Sequence, residues 1–237
     1  SKRAPHVSAE DVVLQTKRLR RVARRHPSAF LLAAQLLSLL VYPLMDDGTG
    51  GRMLFGAVAL VVVPLAVWVV NRSSFVNTVA WLLAIPAMLL TVIAVAFGND
   101  ALLPYSALLE AALYFYAAAS LISYMLHDHK VTADELFAAA ATFTLLAWGF
   151  AYAYYVCQAW YPGSFTGFEP GRPRTWMELL FYSFSNLSAT GLGDVLPVNA
   201  PARVLTMLEQ FAGVGYIATV VSHLIGLTIV RQERSDQ

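Results

Sequence analysis

Apolar runs separated by short polar breaks organise this chain. They occupy residues 28–45, 53–71, 75–98, 102–126, 133–158 and 202–230. A helix needs about 20 apolar residues to cross a bilayer, so the pattern predicts six membrane-spanning helices. The breaks carry turn chemistry: Asp46-Asp47-Gly48-Thr49-Gly50-Gly51, Asn71-Arg72-Ser73-Ser74, Gly98-Asn99-Asp100 and His127-Asp128-His129-Lys130. No loop is long enough for a folded soluble domain, and no internal repeat is visible. The expected fold is an all-α polytopic membrane protein.

One shorter stretch lies between the fifth and sixth runs. Thr175 followed by Glu178 is a capping-box pattern, with the Thr as N-cap and the Glu at N3. Trp176 suits a membrane interface. The apolar and small residues up to Leu187 predict a helix of about three turns, too short to span, which must therefore re-enter. The negative end of its dipole would point toward the membrane centre and favour a cation there. The turn Ser188-Ala189-Thr190-Gly191-Leu192-Gly193-Asp194 follows. Two glycines separated by one residue open backbone conformations closed to other residues. Membranes tolerate such backbone only where it is buried in protein or lines a water-filled path. Successive carbonyls there can point one way and replace the water around a cation.

This turn resembles the potassium-channel signature T-x-G-Y-G-D, with Gly191, Gly193 and Asp194 in register, Ala189 at the usual Thr and Leu192 at the usual Tyr. Arg203 at the start of the last run, and Gly213 twenty residues after Gly193, match the same family, gap-free from Trp176. Lys130-Val131-Thr132-Ala133-Asp134-Glu135 looks like the start of the outer pore helix in bacterial relatives. The chain is similar to tetrameric pore-loop cation channels over residues 132–231. The resemblance implies a homotetramer with closed rotational symmetry. It implies K+ as the permeant ion, held by carbonyls of Ala189, Thr190, Gly191, Leu192 and Gly193, with no organic cofactor. Asp194, Ser185, Asn186 and Glu209 would support the filter, Glu209 by bonding Ser185 or Asn186 behind it. Gly213 reads either as a gating hinge or as a glycine allowing close helix packing. Two departures matter. Ala189 lacks the hydroxyl that the usual Thr places at the innermost ion site, and Leu192 lacks the hydroxyl that braces the filter from behind. Some two-pore-domain potassium channels also carry Gly-Leu-Gly, so Leu192 alone does not remove selectivity.

Composition agrees with a membrane solvent: 58% of the 237 residues are hydrophobic and 13% charged, against roughly 45–50% and about 25% in soluble domains. The formal net charge of +1 hides an uneven distribution, because eight of the sixteen Lys+Arg lie in residues 1–25. The positive-inside rule then puts the N-terminus in the cytoplasm. Six crossings return the C-terminal tail, residues 232–237, to that side, at a plasma membrane of bacterial type. Nucleic acid is not an expected partner. The long polar segment 1–27 does not fit a signal peptide. Residues 8–26 could instead lie on the membrane surface, with Lys17, Arg18, Arg21 and Arg25 toward anionic headgroups; a solvated basic tail is the alternative. Cys157, the single cysteine, allows no disulfide within the chain and reads as packing.

The first four spans, residues 28–131, stand where a voltage sensor would, but the fourth carries no Lys or Arg and one acid, Glu110. Voltage sensing needs several charges in the membrane. The architecture resembles six-helix channels without the arginine ladder. After Gly213, the positions Val214, Ile217, Val221, Ile225 and Ile229 recur every three or four residues, so an apolar gate at the cytoplasmic end is expected, capable of closing by dewetting. The functional expectation is a passive potassium channel. A non-selective monovalent cation channel is the alternative. A transporter or intramembrane enzyme fits less well: there is no Gly-x-Ser-x-Gly, no His-Glu-x-x-His and no repeated half.

Overall fold

A computed structural model describes residues 27–41, 62–68, 74–127, 133–223 and 225–226. Several sequence expectations lie outside the described residues: the basic segment with Lys17, Arg18, Arg21 and Arg25, residues 42–45 of the first run, most of the second run, the turn at 128–130, Ile229 and residues 231–237.

Helix α1 runs Pro27–Val41, and residues 62–68 are helical. Then come α2, Ser74–Phe97; a 3-10 turn, Asp100–Leu102; α3, Leu103–His127; and α4, Ala133–Trp160. A short helix α5, Trp176–Leu187, precedes α6, Ala200–Tyr216, which passes into a π-helical turn at Ile217–Val221. The only strands among the described residues, β1 (Phe165–Thr166) and β2 (Leu196–Pro197), pair antiparallel, Phe165 opposite Pro197 and Thr166 opposite Leu196.

Four helical segments, Thr78–Phe97, Asp100–His127, Glu135–Trp160 and Ala200–Val221, are long and apolar enough to cross a membrane. They coincide with four of the expected runs to within a few residues, except that the last is described only as far as 226. Local chemistry sets the break after α2. Gly98 adopts φ 62, and Asn99 N–H bonds Ala94 O at 2.9 Å, the Schellman closure that a left-handed glycine permits. Asn99 then caps the 3-10 turn by accepting from Ala101 N–H.

Helix α4 is the hub, packed by α1, α3, α5 and α6. Small residues on it, with Ala138, Ala141, Ala147 and Ala151 fully buried, let neighbouring backbones approach closely. Aromatic rings fill what remains: Tyr114 stacks on Tyr152 with centroids 5.4 Å apart, Phe115 meets Phe150 edge-on at 4.9 Å, and Tyr154 contacts Tyr182 at 5.0 Å. Polar bonds tie helices where no water competes. Thr144 donates to Gln35 of α1 at 2.6 Å. Thr91 of α2 and Ser106 of α3 both donate to fully buried Glu110, each at 3.2 Å.

Candidate functional site

The site grows from the start of α5. Thr175 Oγ1 accepts Glu178 N–H at 3.3 Å, and Glu178 Oε2 accepts Thr175 N–H at 2.6 Å, a complete capping box. Arg172 grips the same carboxylate with two nitrogens, each at 3.0 Å, and bonds Glu169 at 2.7 Å. Burial pushes the Glu178 carboxyl up, but the Thr175 N–H, the Arg172 guanidinium and the Thr175 hydroxyl together outweigh it and leave it below its ordinary value. The bonds to Glu169 and then Glu178 raise Arg172 in turn.

Arg174, in the loop that leads into α5, has a buried side chain. Its backbone exchanges two 2.9 Å bonds with the Gln158 side chain, and its guanidinium donates to Glu169 O at 2.6 Å. Gly167 leaves the room: a Cβ there would strike the Arg174 guanidinium.

Helices α5 and α6 run side by side in the same direction, with facing residues 24 to 26 positions apart. Tyr182 meets Thr206 hydroxyl to hydroxyl at 2.7 Å, Ser183 bonds Glu209, Asn186 Oδ1 accepts from Gln210 at 3.0 Å, and Gly213 lies against Leu187. This register corrects one expectation. Glu209 does not bond Ser185 or Asn186; it accepts from Ser183 and from Tyr154 of α4. Glu209 sits one turn before Gly213, so it faces Ser183, one turn before Leu187. Asn186 closes on its own helix, donating to Tyr182 O at 2.8 Å.

The chain leaves α5 at Ser188, and residues 188–194 are exposed in the single subunit. Backbone conformation alternates here. Ala189 takes φ 57 and Gly191 φ 69, whereas Thr190 between them does not enter positive φ. A left-handed alanine costs about 1 kcal/mol; its N–H is held by Asn186 O at 3.0 Å. Ser185 O collects the N–H groups of Thr190 and Gly191 at 3.0 and 3.1 Å. A trans peptide carries its N–H and C=O on opposite edges. The carbonyls of Ala189 and Thr190 therefore point away from α5. Leu192 is the exception: its carbonyl accepts the Ser185 hydroxyl and points back at the helix. The Ser188 and Thr190 hydroxyls bond each other at 2.6 Å. Asp194 is exposed and makes no hydrogen bond to the described residues.

On α6 the buried positions are Ala202, Thr206, Glu209, Gly213 and Tyr216, and Val220 continues them in the π turn. The opposite side, with Val204, Met207, Leu208, Phe211 and Val214, is exposed beside the turn. Ile217 and Ile225 are exposed as well, and Val221 is half-buried. The π turn adds a residue to the helical repeat and rotates the residues beyond it by roughly 100°. The apolar positions after Gly213 therefore do not form one straight α-helical stripe. His127 ends α3 with its Nδ1 2.7 Å from Ser123 O, and no metal-binding cluster occurs among the described residues.

Sequence reasoning missed Ser183, Tyr154, Tyr182 and Thr206. Each is a hydroxyl in an apolar segment, which is the signal that could have marked them.

Residues 140–229 match a family model described as an ion channel. A search of curated proteins returns no match, and neither does a search of solved structures. The matched segment takes in most of α4, the whole of α5, the exposed turn and α6. Over that segment the chain is similar to an ion-channel family of the potassium-channel kind.

Proposed function

We propose that this protein is a passive potassium channel in which four copies place the backbone of Ala189–Gly193 around a common axis. One observation carries the reading: Ser185 O gathers the N–H groups of Thr190 and Gly191 and turns the carbonyls of Ala189 and Thr190 to the opposite side. Carbonyl rings of this kind replace the hydration shell of a cation. The turn follows a 12-residue helix, too short to span, whose C-terminal dipole favours positive charge at that point. In this reading α5 re-enters from the outer side between the fifth and sixth of six spans, and both termini are cytoplasmic. The exposed face of α6 and the exposed Phe181 supply apolar surface for neighbouring subunits. Asp194, with no partner among the described residues of its own chain, would find one at the subunit junction.

The second reading is a non-selective monovalent cation channel, favoured by Ala189 and Leu192, which remove two hydroxyls from the family's filter. Purified protein in liposomes distinguishes the readings. Potassium flux that disappears in Gly191→Ala at equal protein level supports the channel. A Cβ is strained at φ 69 although the space around it is open. Wild-type flux in that variant defeats the filter assignment. Reversal potentials in mixed potassium and sodium separate the two cation readings.

A further inference from the structure

Within the exposed turn, one peptide unit runs against two that precede it. The units that end at Thr190 and Gly191 aim their N–H groups at Ser185 O and their oxygens away from α5. The unit joining Leu192 to Gly193 does the reverse: its oxygen accepts the Ser185 hydroxyl, so its N–H faces away. Ser185 is buried on α5 and holds all three units, two through its carbonyl and one through its hydroxyl. Among the described residues no other side chain donates to a carbonyl of Ala189–Gly193.

The residues around this unit let it turn. Leu192 carries no hydroxyl that could tether the strand elsewhere, and its side chain is exposed. Gly193 is nearly extended, and even a Cβ there would meet nothing closer than 3.9 Å. The Ser188 and Thr190 hydroxyls are occupied with each other. The Ser185 hydroxyl is therefore the group that sets where the Leu192 oxygen points.

We propose that Ser185 is a selectivity-setting residue of this pore: by holding the Leu192 carbonyl toward α5, it withdraws one ring of oxygens from the ion path. The inference rests on the reading of Ala189–Gly193 as the filter. Discrimination between cations depends on the number and field strength of the coordinating carbonyls. An ion at the level of Leu192 keeps water in place of that ring, and water serves sodium as readily as potassium. The position makes the pore less selective than its backbone permits.

The test is the permeability ratio of potassium over sodium, from reversal potentials of the full-length protein in planar bilayers. Ser185→Ala frees the Leu192 oxygen, and the ratio rises by roughly threefold to tenfold, the range one net hydrogen bond covers. Ser185→Thr keeps a hydroxyl and restores the wild-type ratio. A residue that merely braced the turn would lower the ratio or abolish flux when truncated. An unchanged or reduced ratio in Ser185→Ala, with wild type conducting, overturns the role of Ser185 and leaves the filter assignment standing. A wild-type protein that conducts no cation fails the filter reading itself and takes this inference with it. An experimental map of the wild-type tetramer in potassium gives a check independent of any variant. Ion density without direct Leu192 oxygen contacts supports the proposal, whereas an ion held by four Leu192 carbonyls overturns it.

Discussion

Gly213 of α6 lies directly against the backbone of Leu187 at the end of α5. A Cβ on Gly213 would stand 2.8 Å from the Leu187 carbonyl carbon and 3.0 Å from its Cα, and nearer still to its oxygen. The neighbour is backbone, which cannot swing aside as a side chain could. This contact sets the height of α5 on α6 and hence the position of the turn that begins after Leu187. Between hinge and close packing, the contact supplies direct support for packing.

Gly213→Ala should therefore destabilise the protein by about 1–3 kcal/mol, the usual cost of overpacking, and depress flux. Gly215→Ala is the control, because nothing lies within 4 Å of a Cβ there, and its effect should stay within about 0.5 kcal/mol. Thermal melts of both variants in detergent decide the matter. Equal melting temperatures would mean that the Leu187 contact does not constrain the helices.

Glu209, fully buried, accepts from Ser183 and Tyr154. Glu209→Ala leaves both hydroxyls without this partner, at about 1–3 kcal/mol for the buried groups left unsatisfied. Glu209→Gln retains an acceptor and should cost less. A double-mutant cycle with Tyr154→Phe tests the direct bond. Additivity within about 0.3 kcal/mol would show that the two side chains do not interact.

The rim responds to acid through Glu178. Its carboxyl titrates below its ordinary value of 4.5 in the folded protein, so the folded state binds that proton less readily than the unfolded chain. The resulting stability is complete above 4.5 and is lost as pH falls through the lowered value. Melting temperature measured from neutral pH down through this window should fall, and Glu178→Gln should flatten that part of the curve. An equally steep fall in Glu178→Gln would assign the acid sensitivity to another group. Thr175→Ala, which removes the other half of the capping box, should cost about 1 kcal/mol at neutral pH.

The gate is predicted to lie where the exposed apolar residues of α6 continue beyond the π turn. Ile225 is exposed in the single subunit, and Ile225→Asn should favour wetting and raise flux at every voltage. Single-channel recording gives the open probability directly. An unaltered open probability would remove Ile225 from the gate, and steep voltage dependence in the wild type would defeat a purely apolar one.

The sequence by itself determined the features that depend on neighbours along the chain. Hydropathy over about 20 residues marks a helix that can cross a bilayer, and four such runs reappear in the structure. A capping box closes within four residues, so Thr175 and Glu178 announced the start of α5. The breaker Gly98 and the left-handed Gly191 were legible for the same reason. Tertiary structure decided which side chains meet across elements. Glu209 finds Ser183 rather than Ser185 because the packing of Gly213 on Leu187 sets the helix register, and hydropathy does not vary with register. Glu110 of α3 finds Thr91 of α2, and Thr144 of α4 finds Gln35 of α1, because helix packing brings together residues far apart in the chain. Arg174 fills the space that Gly167 leaves open because the loop between them folds back on itself. The Ser185–Leu192 bond spans only seven residues, yet it depends on which way one peptide plane turns. A glycine next to that plane permits either direction, so the choice belongs to the folded turn.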